Sequence, residues 1–203
     1  MIDDAAMCGC MRAQCAHKLA FAKKCREAAS SSSSTTSTEE LEKLSDLDLL
    51  NILTSLQSER FQSYAEFNAA LGELLEGESA EANGDRLIAY PLLCAEMTAR
   101  FSILSKKVIE IKECLNARSR TGLGTLVASL QEMEKEKLVV NAAKHLDMIQ
   151  SVFPGFQGSV GGTEFKAQPD YTSRRLVEID AKIAGIIESI QCEKCDLSDT
   201  EAG

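Results

Sequence analysis

Aromatic residues make up only 5% of this 203-residue chain, and tryptophan is missing altogether. Sandwiches and barrels draw heavily on aromatic and β-branched side chains, so the scarcity turns the reading away from a β-rich fold. Prolines number three, which leaves long stretches without a forced break. Two histidines leave little room for ordinary acid–base or nucleophilic chemistry. The apolar run from Leu87 to Ala95 is interrupted by Pro91 and falls far short of the roughly 20 residues needed to cross a bilayer, so no membrane span is expected. Eight cysteines in 203 residues are well below the roughly 8–10% that marks a disulfide scaffold. Asp3 and Asp4 at the start do not suit a secretory leader. The expectation is an intracellular protein, nuclear or cytoplasmic, with free thiols; the Ala, Ser and Lys content after Met7 lacks the Arg-rich pattern of a transit peptide.

What is present is charge and helical periodicity. The chain carries 22 basic and 31 acidic residues, a formal net charge of -9. Through Thr38 there are five basic residues against three acidic, which leaves -11 on the remainder. Such a body repels phosphate backbones and anionic headgroups, so direct binding to nucleic acid or membrane is not expected. With 44% apolar residues, one core is affordable in a chain of this length.

The clearest pattern is Cys94, Met97, Phe101, Leu104, Val108, Ile111 and Leu115, spaced by alternating threes and fours. That spacing gives a helix with one apolar seam and excludes a strand, whose period is two. Burying each such side chain is worth about 1.5–3 kcal/mol before entropy, so this helix requires neighbours. Three other segments supply them. Leu49, Leu53, Leu56, Arg60, Tyr64, Phe67, Leu71 and Leu74 form the first stripe, with Ser45 or Ser37 as N-cap, Asp48 or Glu40 in capping-box register, and Gly77 as a stop. After a turn at Asn83-Gly84, the seamed helix is predicted to begin at Pro91 and last to about Ala117. A third helix, about 126–152, carries Val127, Leu130, Glu134, Leu138, Asn141, His145, Met148 and Val152. Phe153 to Asp170, with Pro154, Pro169 and four glycines, is predicted as a long loop. Leu176, Ile179, Ile183, Ile186 and Ile190 mark a last helix that ends near Cys192.

The expected fold class is therefore all-α: an antiparallel, coiled-coil-like bundle of three long helices plus a C-terminal fourth. Residues 1–38 read as a cysteine-containing arm with a Ser/Thr linker, 39–195 as the bundle domain, and 196–203 as a disordered acidic tail. The acidic outer face of the first helix, from Glu39 to Glu76, is either a solvated face or a docking surface for a basic partner.

Polar residues on the apolar stripes are the candidates for anything beyond packing. In an up-down-up arrangement the first and third helices run parallel, which puts Arg60 and Glu134 at similar heights. An ion pair that fixes helix register is expected there, since an unpaired charge would cost several kcal/mol. His145 and Asn141 read as core or boundary residues without a triad around them. Cys8, Cys10, Cys15, His17 and Cys25 fit no zinc module, and Cys192-x-x-Cys195 is only half a site, outside any βαβ context. The glycines at Gly122, Gly124, Gly161 and Gly162 are not followed by the Lys-Ser/Thr of a phosphate cradle. No catalytic residue, metal or cofactor is expected.

Leu56-Gln57-Ser58-Glu59-Arg60 with Tyr64 and Phe67, then Pro91, then Ser129-Leu130-Gln131-Glu132-Met133-Glu134 with Lys137-Leu138, resemble the domain of the "required for excision" B-type DNA-repair proteins. The likeness spans about 46–152, with the last helix matching loosely. It implies a small helical protein with no assigned enzymatic activity and a part in nucleotide excision repair. It carries over Gln57, Glu59 and Arg60, and Glu134 and Lys137; of these Gln57, Glu59 and Lys137 are candidate partner-binding residues. The expected function is a non-catalytic adaptor whose partners are repair or transcription factors. The alternative is a structural coiled-coil-like subunit of a cytoskeletal or ciliary assembly, with a metal-binding regulator acting through the terminal cysteines as a third reading.

Overall fold

The structure, a computed structural model, describes residues 38–76, 83–153, 159–160, 163–164 and 168–202. The N-terminal cysteines, the tether up to residue 37, Gly77 and the proline and glycines of the 154–158 and 161–162 stretches lie outside the described residues.

Among the described residues five helices and one short strand pair follow in order: α1 (Thr38–Leu41), α2 (Asp46–Leu75), α3 (Asn83–Ala117), α4 (Thr121–Val152), β1 (Ser159–Val160), β2 (Thr163–Glu164) and α5 (Pro169–Ala202). The chain is an all-α bundle, and the antiparallel β1–β2 pair, Val160 opposite Thr163, is a detail of the α4–α5 connection. From Thr38 onward it forms one compact unit.

Local chemistry explains most boundaries. Ser45 caps α2: its hydroxyl accepts from the Asp48 N–H at 3.1 Å, and the Asp48 carboxylate reaches back to the Ser45 N–H, the reciprocal box expected from sequence. At the other end of α3, Arg120 N–H donates to Leu115 C=O and Ser119 N–H to Asn116 C=O, a Schellman closure that places Ser119 at φ 60. α5 starts on Pro169, where a missing N–H costs nothing.

The seams pack as their spacing demands. Met97, Phe101, Leu104, Val108, Ile111 and Leu115 of α3 share one core with Leu49, Leu53, Leu56 and Phe67 of α2, Val127 and Leu130 of α4, and Ile179, Ile183 and Ile190 of α5. Contacts give the directions. Arg60 meets Gln131, Tyr64 meets Lys137 and Asn68 meets His145, so α2 and α4 run parallel. Arg60 with Ser105 and Ser63 with Arg100 make α3 antiparallel to α2, and Lys137 with Asp180 and Asp147 with Thr172 make α5 antiparallel to α4.

Three expectations are corrected. Pro91 does not start α3: the helix begins at Asn83, which also removes the turn tip expected there, and runs through the proline. An interior proline loses a hydrogen bond and costs about 3 kcal/mol. What offsets it is tertiary, because Tyr90 packs with Leu71, Leu146 and Ile149 in a second apolar cluster. α5 does not end near Cys192 but continues to Ala202, so an acidic tail does not begin at 196; Leu197, within the added length, packs on the core. On the last turn of α4, Ile149 is the buried residue, while Val152 points outward.

Two polar clamps had no sequence signal. The Arg118 guanidinium donates to the carbonyls of Leu44 (2.7 Å), Glu42 (2.8 Å) and Leu41 (3.3 Å), which covers the open C-terminal end of α1. With Arg120 it also holds Asp46; burial alone would raise that carboxyl, but hydrogen bonds from Arg120 and Arg118 keep it below its ordinary range. The buried Asp147 of α4 accepts from Gln168 N–H and Thr172 Oγ, both at 2.8 Å, and so caps α5 from the neighbouring helix.

Ser119 is a non-glycine residue in left-handed backbone, a cost of about 1–2 kcal/mol for an L side chain. Ser119→Gly is expected to raise unfolding free energy by about 0.5–1 kcal/mol in urea titration, the remainder being lost to glycine's larger unfolded-state entropy. A destabilised variant would contradict the assignment of this turn.

Candidate functional site

The polar residues on the stripes meet at one level of the bundle. Arg60 of α2 is almost wholly buried, its side chain 3% exposed, and Glu134 of α4 is 8% exposed. Arg60 Nη1 lies 3.9 Å from Glu134 Oε2, too long for a hydrogen bond. Its hydrogen bonds go elsewhere: Nη1 donates to Gln131 Oε1 at 3.2 Å and Nη2 to Ser105 Oγ at 3.0 Å. Gln131 Nε2 then donates to the Ser105 carbonyl at 2.9 Å, closing a ring across α2, α3 and α4. Glu134 Oε2 is left without a hydrogen-bond partner. Burial pushes the Glu134 carboxyl above its ordinary value, against the pull of Arg60 and Lys137.

The structure brings Lys137 to this node as well. Its ammonium is 2.7 Å from Asp180 of α5 and 4.8 Å from the centre of the Tyr64 ring, so its charge is engaged inside the chain. Gln57 is half-buried one turn before Arg60, with a buried Nε2 that has no partner. Glu59 lies on the other flank of α2, and its backbone carbonyl accepts from Ser63 Oγ. The five residues thus divide: Arg60, Glu134 and Lys137 gather at one node, Gln57 borders it, and Glu59 stands apart.

Beside the node, α2 and α5 leave a groove with α4 as its floor. Two hollows lie along it, of about 450 and 320 Å³, and Phe61 lines both. Phe61 is 73% exposed and Val177, across the groove on α5, 70%. A larger hollow of about 1000 Å³ opens elsewhere, among Gly124, Ala128, Gly185 and Ser189. The unpartnered buried atom among its neighbours is missing, whereas Gln57 lines the 320 Å³ hollow.

His145 sits further along α4. It is fully buried, its ring centre 4.4 Å from that of Phe67 in an edge-to-face arrangement, and its Nε2 is 2.8 Å from Asn68 Oδ1, so the proton is on Nε2. Burial, with Lys144 close by, pulls its pKa down to about 4. Among the described residues no three His, Cys, Asp or Glu side chains converge as metal ligands, and no helix is long and apolar enough to cross a membrane. Cys94, Cys114, Cys192 and Cys195 are free thiols.

Residues 48–148, about half of the chain, match the family model described as DNA repair REX1-B. The chain belongs to this family. Neither a curated protein nor a solved structure matches it significantly. The REX1-B segment contains all of α4's node residues and both Gln57 and Arg60, so three sides of the node come from it, while the α5 wall of the groove lies beyond. Asp180, and the Arg175 that pairs with Glu136 and Glu178, are contributions that the stripe pattern did not reveal.

Arg60→Met is expected to cost about 3 kcal/mol, because Glu134 keeps a buried charge without its cation and Gln131 loses its donor. Joined to Glu134→Leu, the double variant should be less destabilised than the sum of the singles by about 1 kcal/mol or more; strict additivity in a double-mutant cycle would dissolve the pair. For His145 the folded pKa is below the unfolded value of about 6.5, so its stabilisation is complete above that pH and is lost as pH falls towards 4. The loss is about 3 kcal/mol over that window. Glu134, with a raised folded pKa, acts with the opposite sign: its penalty is relieved on acidification. His145→Gln should remove the downward slope in urea titrations between these pH values, and an unchanged slope would contradict the assignment.

Proposed function

We propose that the chain is a non-catalytic helical adaptor that contributes to nucleotide excision repair through contacts with repair or transcription factors. The observation that carries this reading is the α2–α5 groove, which exposes Phe61 and Val177 directly above the node built by the REX1-B segment. Large apolar side chains held open to water beside a rigid polar cluster have the character of an interface core, not of a reaction centre. The polar groups of the node support the same reading. Arg60, Gln131, Ser105, Lys137 and Asp180 are turned on one another, in the manner of side chains that hold a surface in shape. The formal net charge of -9 disfavours a direct grip on DNA phosphates, so participation in repair runs through proteins. No cofactor or metal enters this account, and the workplace is the nucleus or cytoplasm.

A strain lacking the protein is expected to survive ultraviolet irradiation several-fold less well than its parent, with rescue by the intact chain. Affinity purification from irradiated cells should recover repair or transcription factors. Unchanged survival together with recovery of a cytoskeletal or ciliary set would overturn the proposal in favour of a structural subunit.

A further inference from the structure

The α2–α5 groove differs from the rest of the surface in charge. Down α2, Thr54, Ser58, Phe61, Ala65 and Asn68 recur by fours and threes along its wall, and none is charged. The acidic residues Asp48, Glu59, Glu66 and Glu73 fall on the other flank of the same helix, where Glu66 is held by Arg100 of α3. On the α5 wall the one carboxylate lining either hollow is Asp180, and Lys137 neutralises it.

The uncompensated charge along the groove is cationic. Gln57 lines the 320 Å³ hollow, while its Nε2 is buried behind the surface without an acceptor. Asn68 Oδ1 is engaged by His145, so its amide N–H₂ is the free end at the 450 Å³ hollow, next to Lys144. No carboxylate lies within ion-pair distance of Lys144 among the described residues. At the far end Lys194 reaches across to Thr54 at 3.4 Å and adds a second cation. An occupant must therefore bring apolar side chains, with negative charge where it passes Lys144.

The spacing fits a helix. The α2 residues that line the two hollows are centred about eight positions apart, roughly 12 Å along the axis, which is about two turns of a helix laid alongside. We propose that the α2–α5 groove docks an amphipathic acidic helix of a partner protein, its apolar face over Phe61 and Val177 and a carboxylate on Lys144. This rests on the adaptor reading and names the chemistry of its partner.

The test is a selection of displayed random peptides, each long enough for four helical turns, on the intact chain. Enriched peptides are expected to carry apolar residues at helical spacing with Asp or Glu beside them. Phe61→Ala, at an exposed position, and Lys144→Glu, at a half-buried one, both checked for an unchanged melting curve, should each weaken the selected peptides by roughly tenfold or more. A Glu-to-Lys change in the peptide should restore binding to Lys144→Glu, a charge swap that a merely structural effect would not produce. Basic or neutral enriched sequences, equal binding to the variants, or an empty selection would overturn the proposal. So would a concentration-dependent dimer lost in Phe61→Ala, since a second copy would then fill the groove. Repair sensitivity of the deletion strain alongside a failed selection removes this docking mode alone; normal survival alongside a successful one removes the repair role and keeps the groove.

Discussion

A guanidinium cannot be neutralised by losing its proton, so when Arg60 is drawn into the seam of α2 the surrounding helices must supply acceptors. Ser105 and Gln131 do so from two directions, and that requirement sets where α3 and α4 lie along α2. The apolar seams alone would tolerate sliding by a turn, because leucines and isoleucines a turn apart offer similar faces. A guanidinium one turn out of place would lose both hydrogen bonds and keep its desolvation cost. Glu134 adds charge compensation from 3.9 Å and receives no hydrogen bond on Oε2, so the neutral side chains Gln131 and Ser105 carry the directional part of the node.

The last helix is tied to the same level. Lys137 reaches Asp180 and lies over Tyr64, and Arg175 grips Glu136, so α5 is fastened to α4 by ion pairs above and by Ile179 and Ile183 below. Asp147 caps its first turn. These ties all face α4. Towards α2, α5 makes fewer contacts, and the groove with Phe61 follows from that asymmetry.

The helix faces were legible in the sequence because burial imposes a period of three and four that survives without knowledge of the neighbours. Leu49 to Phe67, Met97 to Leu115 and Leu176 to Ile190 all pack as that period requires. The Ser45 and Asp48 box was legible for the same reason: it is local. Pro91 misled because its rule describes a backbone in isolation, whereas Tyr90 is held by residues 19 and 59 positions away in Leu71 and Ile149. Arg118 and Asp147 gave no signal, since their partners are unremarkable carbonyls and a threonine brought near by folding. At the node, Arg60 and Glu134 were visible as charges on an apolar stripe. Gln131 and Ser105 were not, because an amide or hydroxyl at the edge of an apolar stripe looks like any solvated one.

The family's name points to DNA repair, and its segment ends before the helix that completes the groove. A docking surface built this way depends on α5 being an integral part of the bundle. Native-state hydrogen exchange tests that dependence most directly. Amides of Leu176 to Ile190 are expected to exchange only by the same opening that frees Leu130 to Asn141 in α4, with equal protection and equal denaturant dependence. Independent, low-energy opening of α5 while α2, α3 and α4 remain protected would contradict the account.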